Sequence, residues 1–186
     1  MTDLVCFLEE PSAKEMLQAV LPKFLPPEIH TFFFIFEGKQ DLEKQLVKKM
    51  SGWQKPDSFF LVLRDQDSGD CIQIKNQLIT KAAAAKKENK TIIRIACHEL
   101  ESFYLGDLLA VEKGLSIKDI SKNQNKKKFR QPDKIANASE ELSKLTNKKY
   151  QKMAGSRAIA PNLRLDGSNY SKSFNHLVSG LKKLLK

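Results

Sequence analysis

Residues 59–74, FFLVLRDQDSGDCIQI, decide how the chain folds. Phe59 to Leu63 is an unbroken apolar run, the pattern of a strand buried on both faces and therefore of a parallel sheet. A polar turn follows, Arg64-Asp65-Gln66-Asp67-Ser68-Gly69-Asp70, and then a segment whose Ile74, Leu78, Ile79 and Ala82 recur at helical spacing. The same strand-turn-helix order repeats on either side. Residues 4–8, LVCFL, stop at Glu9, Glu10 and Pro11, after which Met16, Leu17, Val20, Leu21 and Phe24 share a helical face up to Pro26-Pro27. Ser12 with Glu15 has the spacing of a capping box. Residues 31–36, TFFFIF, end before Gly38 and lead into a helix from about Lys39 to Gly52, with Leu42, Leu46 and Met50 on one face. Residues 91–97, TIIRIAC, run straight into His98-Glu99-Leu100-Glu101. Four such βα units, each of roughly 30 residues, predict an α/β fold with about four parallel strands, helices on both faces and right-handed crossovers.

After about residue 111 the strand pattern stops. Lys122 to Arg130, KNQNKKKFR, is a charge run, residues 139–153 read as a polar helix, and residues 171–186 as an amphipathic one. In the last, Phe174, Leu177, Val178, Leu181 and Leu184 form a stripe suited to packing on the sheet, a membrane-surface helix being the alternative. The reading is thus an α/β core over residues 1–110 and a basic helical extension over 111–186, packed together as one unit.

At 186 residues, 41% of them hydrophobic and 29% charged, the chain has the composition of a globular protein with one core. Its net charge of +10 is unevenly placed: the first 110 residues hold 14 basic and 16 acidic side chains, the remainder 18 and 6. A basic surface of this kind attracts polyanions, although Lys-rich helices also serve solubility alone. Cys6, Cys71 and Cys97 have no CxxC spacing and read as reduced core thiols of a cytoplasmic protein. No basic n-region opens the chain, and the longest apolar run, Phe32 to Phe36, is far below the roughly 20 residues of a membrane span. Neither export nor a membrane partner is expected.

The acids gather where function is expected, at the carboxyl ends of parallel strands. Glu9 and Glu10 end the first strand, Asp65 and Asp67 the third, and Glu99 and Glu101 follow the fourth. In an extended segment residues i and i+2 project to one side, so Asp65 and Asp67 can face one point. With Glu9 they offer the hard oxygens that Mg2+ or Mn2+ takes. Capping of the next helix by Asp67, Ser68 or Asp70 is the structural alternative. Clustered carboxylates repel one another unless a cation or a shared proton offsets the charge, which favours a metal site. Glu99 and Glu101 are candidates for a second metal position, or for a helix start with acids at its dipole. His98 reads as a helix-start hydrogen-bonding residue, and HELES lacks the second His of a zinc-protease HExxH.

A Glu ending strand one and a DxD ending strand three, in a chain of βα units, resemble the Toprim domain of topoisomerases, primases and OLD-type nucleases. More closely, FLEEPSAKEML (7–17), LRDQDSGDC (63–71), RIACHELESFYLGD (94–107), PDKI (132–135) and KMAGSRAIAPNL (152–163) together resemble a bacterial, Toprim-like family of domains of unknown function often encoded beside AAA ATPases. The resemblance implies a metal-binding and catalytic role for Glu9, Asp65 and Asp67. Glu10 departs from it, since Toprim chains usually carry Gly there to let phosphate approach, and a carboxylate in that place could add a metal ligand or weaken phosphate binding. Topoisomerase activity would further need a nucleophilic tyrosine in a separate domain, for which the length leaves no room. The expectation is therefore a Mg2+-dependent nuclease, with one or two ions activating water and stabilising charge on the scissile phosphate. The family resemblance adds an AAA ATPase partner and a role in antiphage defence. Lys152 and Arg157, flanking Gly155, are the candidate phosphate contacts, while Lys126, Lys127, Lys128 and Arg130 would supply diffuse attraction to nucleic acid. Two other readings compete. One is a non-catalytic nucleic-acid- or ATPase-binding subunit that keeps the acids for a structural metal; the other is a phospho-acceptor receiver domain, disfavoured by the absence of a fifth strand ending in Lys.

Overall fold

A computed structural model of the protein describes residues 2–185. Its sheet has four strands, β1 (Asp3–Leu8), β2 (His30–Ile35), β3 (Ser58–Asp65) and β4 (Thr91–Ala96), all parallel in the order β2-β1-β3-β4. The apolar runs of β1 and β3 are continuous because both faces are covered, whereas β2, at the sheet edge, is at most half-buried and leaves Ile35 exposed. Leu4, Cys6 and Leu8 of β1 and Leu61 and Leu63 of β3 enter one core, while Val5 and Phe7 with Phe60 and Val62 enter a second on the opposite face. The second core is closed by α2 (Lys39–Gly52) through Leu42, Leu46 and Met50, and by α3 (Cys71–Ala84) through Ile74, Leu78 and Ala82. Ile79, expected on that stripe, instead faces solvent.

The first core is closed by α1 (Pro11–Val20) together with α4 (Ser102–Leu105), α5 (Leu108–Leu115), α6 (Ala138–Leu145), α7 (Lys152–Ile159) and α8 (Lys172–Leu184). It draws on the extension as heavily as on the βα units. Phe174, Leu177, Val178 and Leu181 of α8 are buried there, with α8 lying along β4. Each such side chain contributes about 1.5–3 kcal/mol when fully buried. The α8 stripe is therefore a core stripe, and no helix among the described residues is long and apolar enough to cross a membrane.

Two local expectations are corrected. First, α1 starts at Pro11, whose ring pre-sets the helical φ and whose missing N–H costs nothing at the first turn. The expected capping box is absent: the buried Ser12 hydroxyl donates to Glu10 Oε1, and Glu15 pairs with Arg157. Second, the single helix expected over 139–153 is broken into α6 and α7. Asn147 and Lys148 adopt φ of 50° and 62°, the left-handed region, which turns the chain. Thr146 Oγ1 donates back to the Leu142 carbonyl and accepts from the Tyr150 N–H at 3.1 Å, fixing that turn.

Candidate carboxylate site

Strand register builds the site. Leu8 lies beside both Ile35 and Leu63, so the residues just past β1 and β3 emerge at the same sheet edge. Glu9 turns its carboxylate across to β3, where Oε2 accepts the Asp65 N–H at 3.0 Å and lies 3.8 Å from the buried Arg64 guanidinium. Arg64 is itself held by Glu43 and by the Asp65 carbonyl. Glu10, the N-cap residue of α1, accepts from Ser12 and from Lys152 Nζ, the latter at 3.1 Å. Glu101 comes from the turn after β4. It is fully buried, with Oε1 taking the Tyr150 hydroxyl at 2.8 Å and Oε2 without a partner.

These acids press on one another. Burial, then the charges of Glu10, Glu101 and Glu9, hold the Asp65 carboxyl well above the usual carboxylate range, against the favourable Leu100 N–H. Burial also raises Glu9 and Glu101. Lys152 answers from the other side: burial opposes its charge, yet Glu101, Glu10 and Asp65 outweigh that and hold the ammonium protonated. The site is thus four carboxylates, Glu9, Glu10, Asp65 and Glu101, between Arg64 below and Lys152 above.

Helix α7 delivers Lys152 by running parallel to α1. Lys152 meets Glu10, Arg157 meets Glu15 at 2.6 Å, and Lys23 reaches the Pro161 carbonyl, so the two segments stay in register over their length. Gly155 is required behind the site. A Cβ there would lie 2.4 and 2.5 Å from the Tyr150 ring, so only glycine lets the ring seat and its hydroxyl reach Glu101. Tyr104 and Ser156 add buried hydroxyls to the same region. Sequence reading missed Tyr150, Tyr104 and Arg64; the one signal for Tyr150 was its place five residues before Gly155.

The remaining candidates are placed otherwise. Asp67 does not follow the i, i+2 rule from Asp65, because β3 ends at Asp65 and Asp67 takes φ 53°. Its carboxylate pairs with Lys39 at 2.7 Å on the rim, within electrostatic reach of Glu9, while its backbone is pinned by His98 through Nδ1 and the carbonyl oxygen. Helix capping falls to Asp70, which accepts the Gln73 N–H. Glu99 turns away from Glu101 and accepts the Ser139 N–H at 2.7 Å in the first turn of α6, so it is not beside the other acids. Arg157 is directed to Glu15 rather than to the crevice. Lys128 pairs with Glu141 of α6, and Lys127 and Lys128 flank a surface cleft with Lys134 and Asn137; Lys126 and Arg130 are exposed beside them. The free Cys71 and Cys97 line a different cavity.

A cation fits this donor set in kind. The oxygens are hard carboxylates, one of them buried without a partner, and Mg2+ commonly takes one or two carboxylates with waters and phosphates completing its shell. Among the described residues no three His, Cys, Asp or Glu side chains are already drawn together as a ligand set, so the crevice is an open acceptor and not a finished cage.

The fold and this crevice define a doubly wound α/β protein of Rossmann-like topology with an acidic site at the carboxyl ends of its strands. Within that class the chain belongs to the family described as Domain of unknown function (DUF4276), whose profile it matches over residues 8–182. No curated protein and no solved structure matches it.

Proposed function

We propose that the protein is a divalent-cation-dependent phosphodiester hydrolase of Toprim type, acting on nucleic acid in the cytoplasm. The observation that carries the reading is the convergence of Glu9, Glu10, Asp65 and Glu101 at the strand ends, in a crevice faced from above by Lys152. Four such acids are costly to hold together without a metal, and their burial adds to that cost. Glu9, Asp65 and Glu101 would hold Mg2+ or Mn2+, with Glu10 at the entrance. When bound, the ion supplies Lewis-acid stabilisation of phosphoryl oxygens and a more acidic water. The chain does the rest. Lys152 keeps its proton and offers an ammonium to an incoming phosphate once Glu10 releases it. Tyr150 orients Glu101 by donating to Oε1, which leaves the buried Oε2 without a protein partner and available to the ion. Lys126, Lys127 and Lys134 supply nonspecific attraction to the polyanion. An AAA ATPase partner and a defence role follow from the family resemblance alone and complete the proposal.

A second reading has its own observation. Lys152 already neutralises part of the cluster, as a structural ion pair would in a non-catalytic subunit. One experiment separates them. Mn2+ binding is followed by electron paramagnetic resonance, and cleavage of single-stranded, duplex and structured RNA and DNA is followed in Mg2+, Mn2+ or EDTA, with and without the ATPase. The wild-type chain is compared with Asp65→Asn and Glu101→Gln. Metal-dependent cleavage and Mn2+ binding lost together in the variants support the hydrolase. Nucleic-acid binding that persists in EDTA and in both variants, without cleavage under any condition, supports the subunit.

A further inference from the structure

A second cavity, of about 400 Å3, lies at the open edge of β4 between α3 and α8. Its chemistry follows from strand parity. The Ala96 and His98 carbonyls point inward, accepting from the Gln66 and Asp67 N–H groups at 2.9 and 2.8 Å. Backbone polar groups alternate sides along a strand, so Ile93, Ile95 and Cys97 present theirs to the outer edge. The outer carbonyls are occupied: Ile93 O accepts from Arg94 Nη1 at 2.8 Å and Ile95 O from Cys97 Sγ at 3.9 Å. The Cys97 N–H meets Ser173 Oγ at 3.5 Å. By the same parity the N–H groups of Ile93 and Ile95 face the outer edge, and both residues line the cavity.

The edge therefore offers donors without acceptors. An added peptide strand needs both, whereas an anion needs only donors. The surrounding charge agrees. Lys75 of α3, Lys172 of α8 and the Arg94 guanidinium border the space. The carboxylate among its described lining residues, Asp133, is turned onto Ser171 and Ser173, which donate to both of its oxygens. Arg94 can lie where it does because residue 180 is glycine, where a Cβ would come within 2.1 Å of Nη2.

We propose that this cavity binds a phosphate group, either the free ion or the head of a small phosphomonoester, at a site separate from the carboxylate crevice. The volume suits a single phosphorylated sugar or nucleoside and not a polymer. The test is isothermal titration calorimetry on the full chain with inorganic phosphate, ribose 5-phosphate and adenosine monophosphate, in wild type, in a Lys75→Gln/Lys172→Gln double variant and in Asp65→Asn. Both lysines are exposed, so the double variant keeps its fold, which a thermal melt checks. Saturable binding of at least one probe, weakened about tenfold or more in the double variant and unchanged by EDTA or Asp65→Asn, is the expected result. Comparing the three probes tells the free ion from the ester. The proposal is overturned if no probe binds at millimolar concentration, if the double variant binds undiminished, or if EDTA or Asp65→Asn abolishes binding, which would move the phosphate to the carboxylate crevice.

Discussion

Replacing Lys152 with Met keeps most of its aliphatic stem and removes the ammonium that faces Glu10, Glu101 and Asp65. The expected cost lies between two limits. An exposed ion pair contributes about 0.2–1 kcal/mol, whereas breaking a fully buried one costs about 3–5 kcal/mol. The Lys152 side chain is 53% exposed and Glu10 22%, which discounts the buried limit, yet Asp65 and Glu101 behind them are buried and lose their compensating charge as well. A loss of about 1–2 kcal/mol follows, or roughly 2–8 °C in melting temperature for a chain of this size.

The pH dependence makes that loss diagnostic. Because Glu9, Asp65 and Glu101 titrate above their ordinary values, the folded chain holds protons that the unfolded chain has released. Their contribution to stability is full below the usual carboxylate range, near pH about 4, and is lost as pH rises through the raised values. Lys152 opposes that decline by favouring the ionised carboxylates. In Lys152→Met the decline steepens, so wild type and variant should converge near pH about 4 and diverge to the full 1–2 kcal/mol above neutrality. Urea unfolding at a series of pH values measures it. Equal loss at every pH would mean that Lys152 acts through packing, and no loss at any pH would mean that the four acids do not share its charge; either refutes the reasoning.

Further expectations concern the support of the site. Tyr150→Phe removes the 2.8 Å donor to Glu101 and leaves both buried oxygens unpartnered, costing about 1–3 kcal/mol and moving the Glu101 titration further up, as side-chain carboxyl NMR would show. Gly155→Ala places a Cβ into the Tyr150 ring and should cost about 1–3 kcal/mol in chemical denaturation, with the same upward shift of Glu101 as the ring is displaced. Asp133→Ala deprives Ser171 and Ser173 of their acceptor, so amide exchange at the start of α8 should accelerate, with a loss of about 1–2 kcal/mol in the melt. Mg2+ should raise the melting temperature more at alkaline than at mildly acidic pH, since the raised acids must release protons before they can bind it. A pH-independent effect of Mg2+ would place the ion elsewhere.

What the sequence made legible follows from what is local. The strands could be read because a parallel sheet buries both faces, leaving runs such as Phe59 to Leu63 with no polar interruption, and α2 runs over the expected Lys39–Gly52 because its apolar residues keep one period. Glu9 and Asp65 could be brought together from topology, since strands in parallel end at the same edge. Asp67 could not, because the two-residue rule holds only while the chain is extended and β3 stops at Asp65. Glu99 and Glu101 have equivalent sequence contexts and opposite fates: one caps α6 and the other is buried beneath Tyr150. That division depends on residues some 40 and 49 positions downstream, which no local period encodes.

The same dependence changes what the charge asymmetry means. The excess of cations after residue 110 begins by answering acids before it: Lys152 pairs with Glu10, Arg157 with Glu15, and Arg164 with the buried Asp107 at 3.1 Å. The extension also fills the first core, where Phe174 and Leu181 share one buried cluster with residues of β1, β3 and β4. A chain ending near residue 110 would therefore lose both the cover of one sheet face and the cation over the acidic crevice. Its acids would stand unneutralised, and the apolar residues of that face would be open to water. A full-length chain should accordingly unfold in a single transition, and raising the salt concentration should weaken polyanion attraction at Lys126, Lys127 and Lys134 well before it loosens the partly buried Lys152 contact. If the urea transition proved biphasic, with residues 1–110 surviving the loss of the extension, the acids would be stable without Lys152 and the case for a charge-dependent crevice would fall with it.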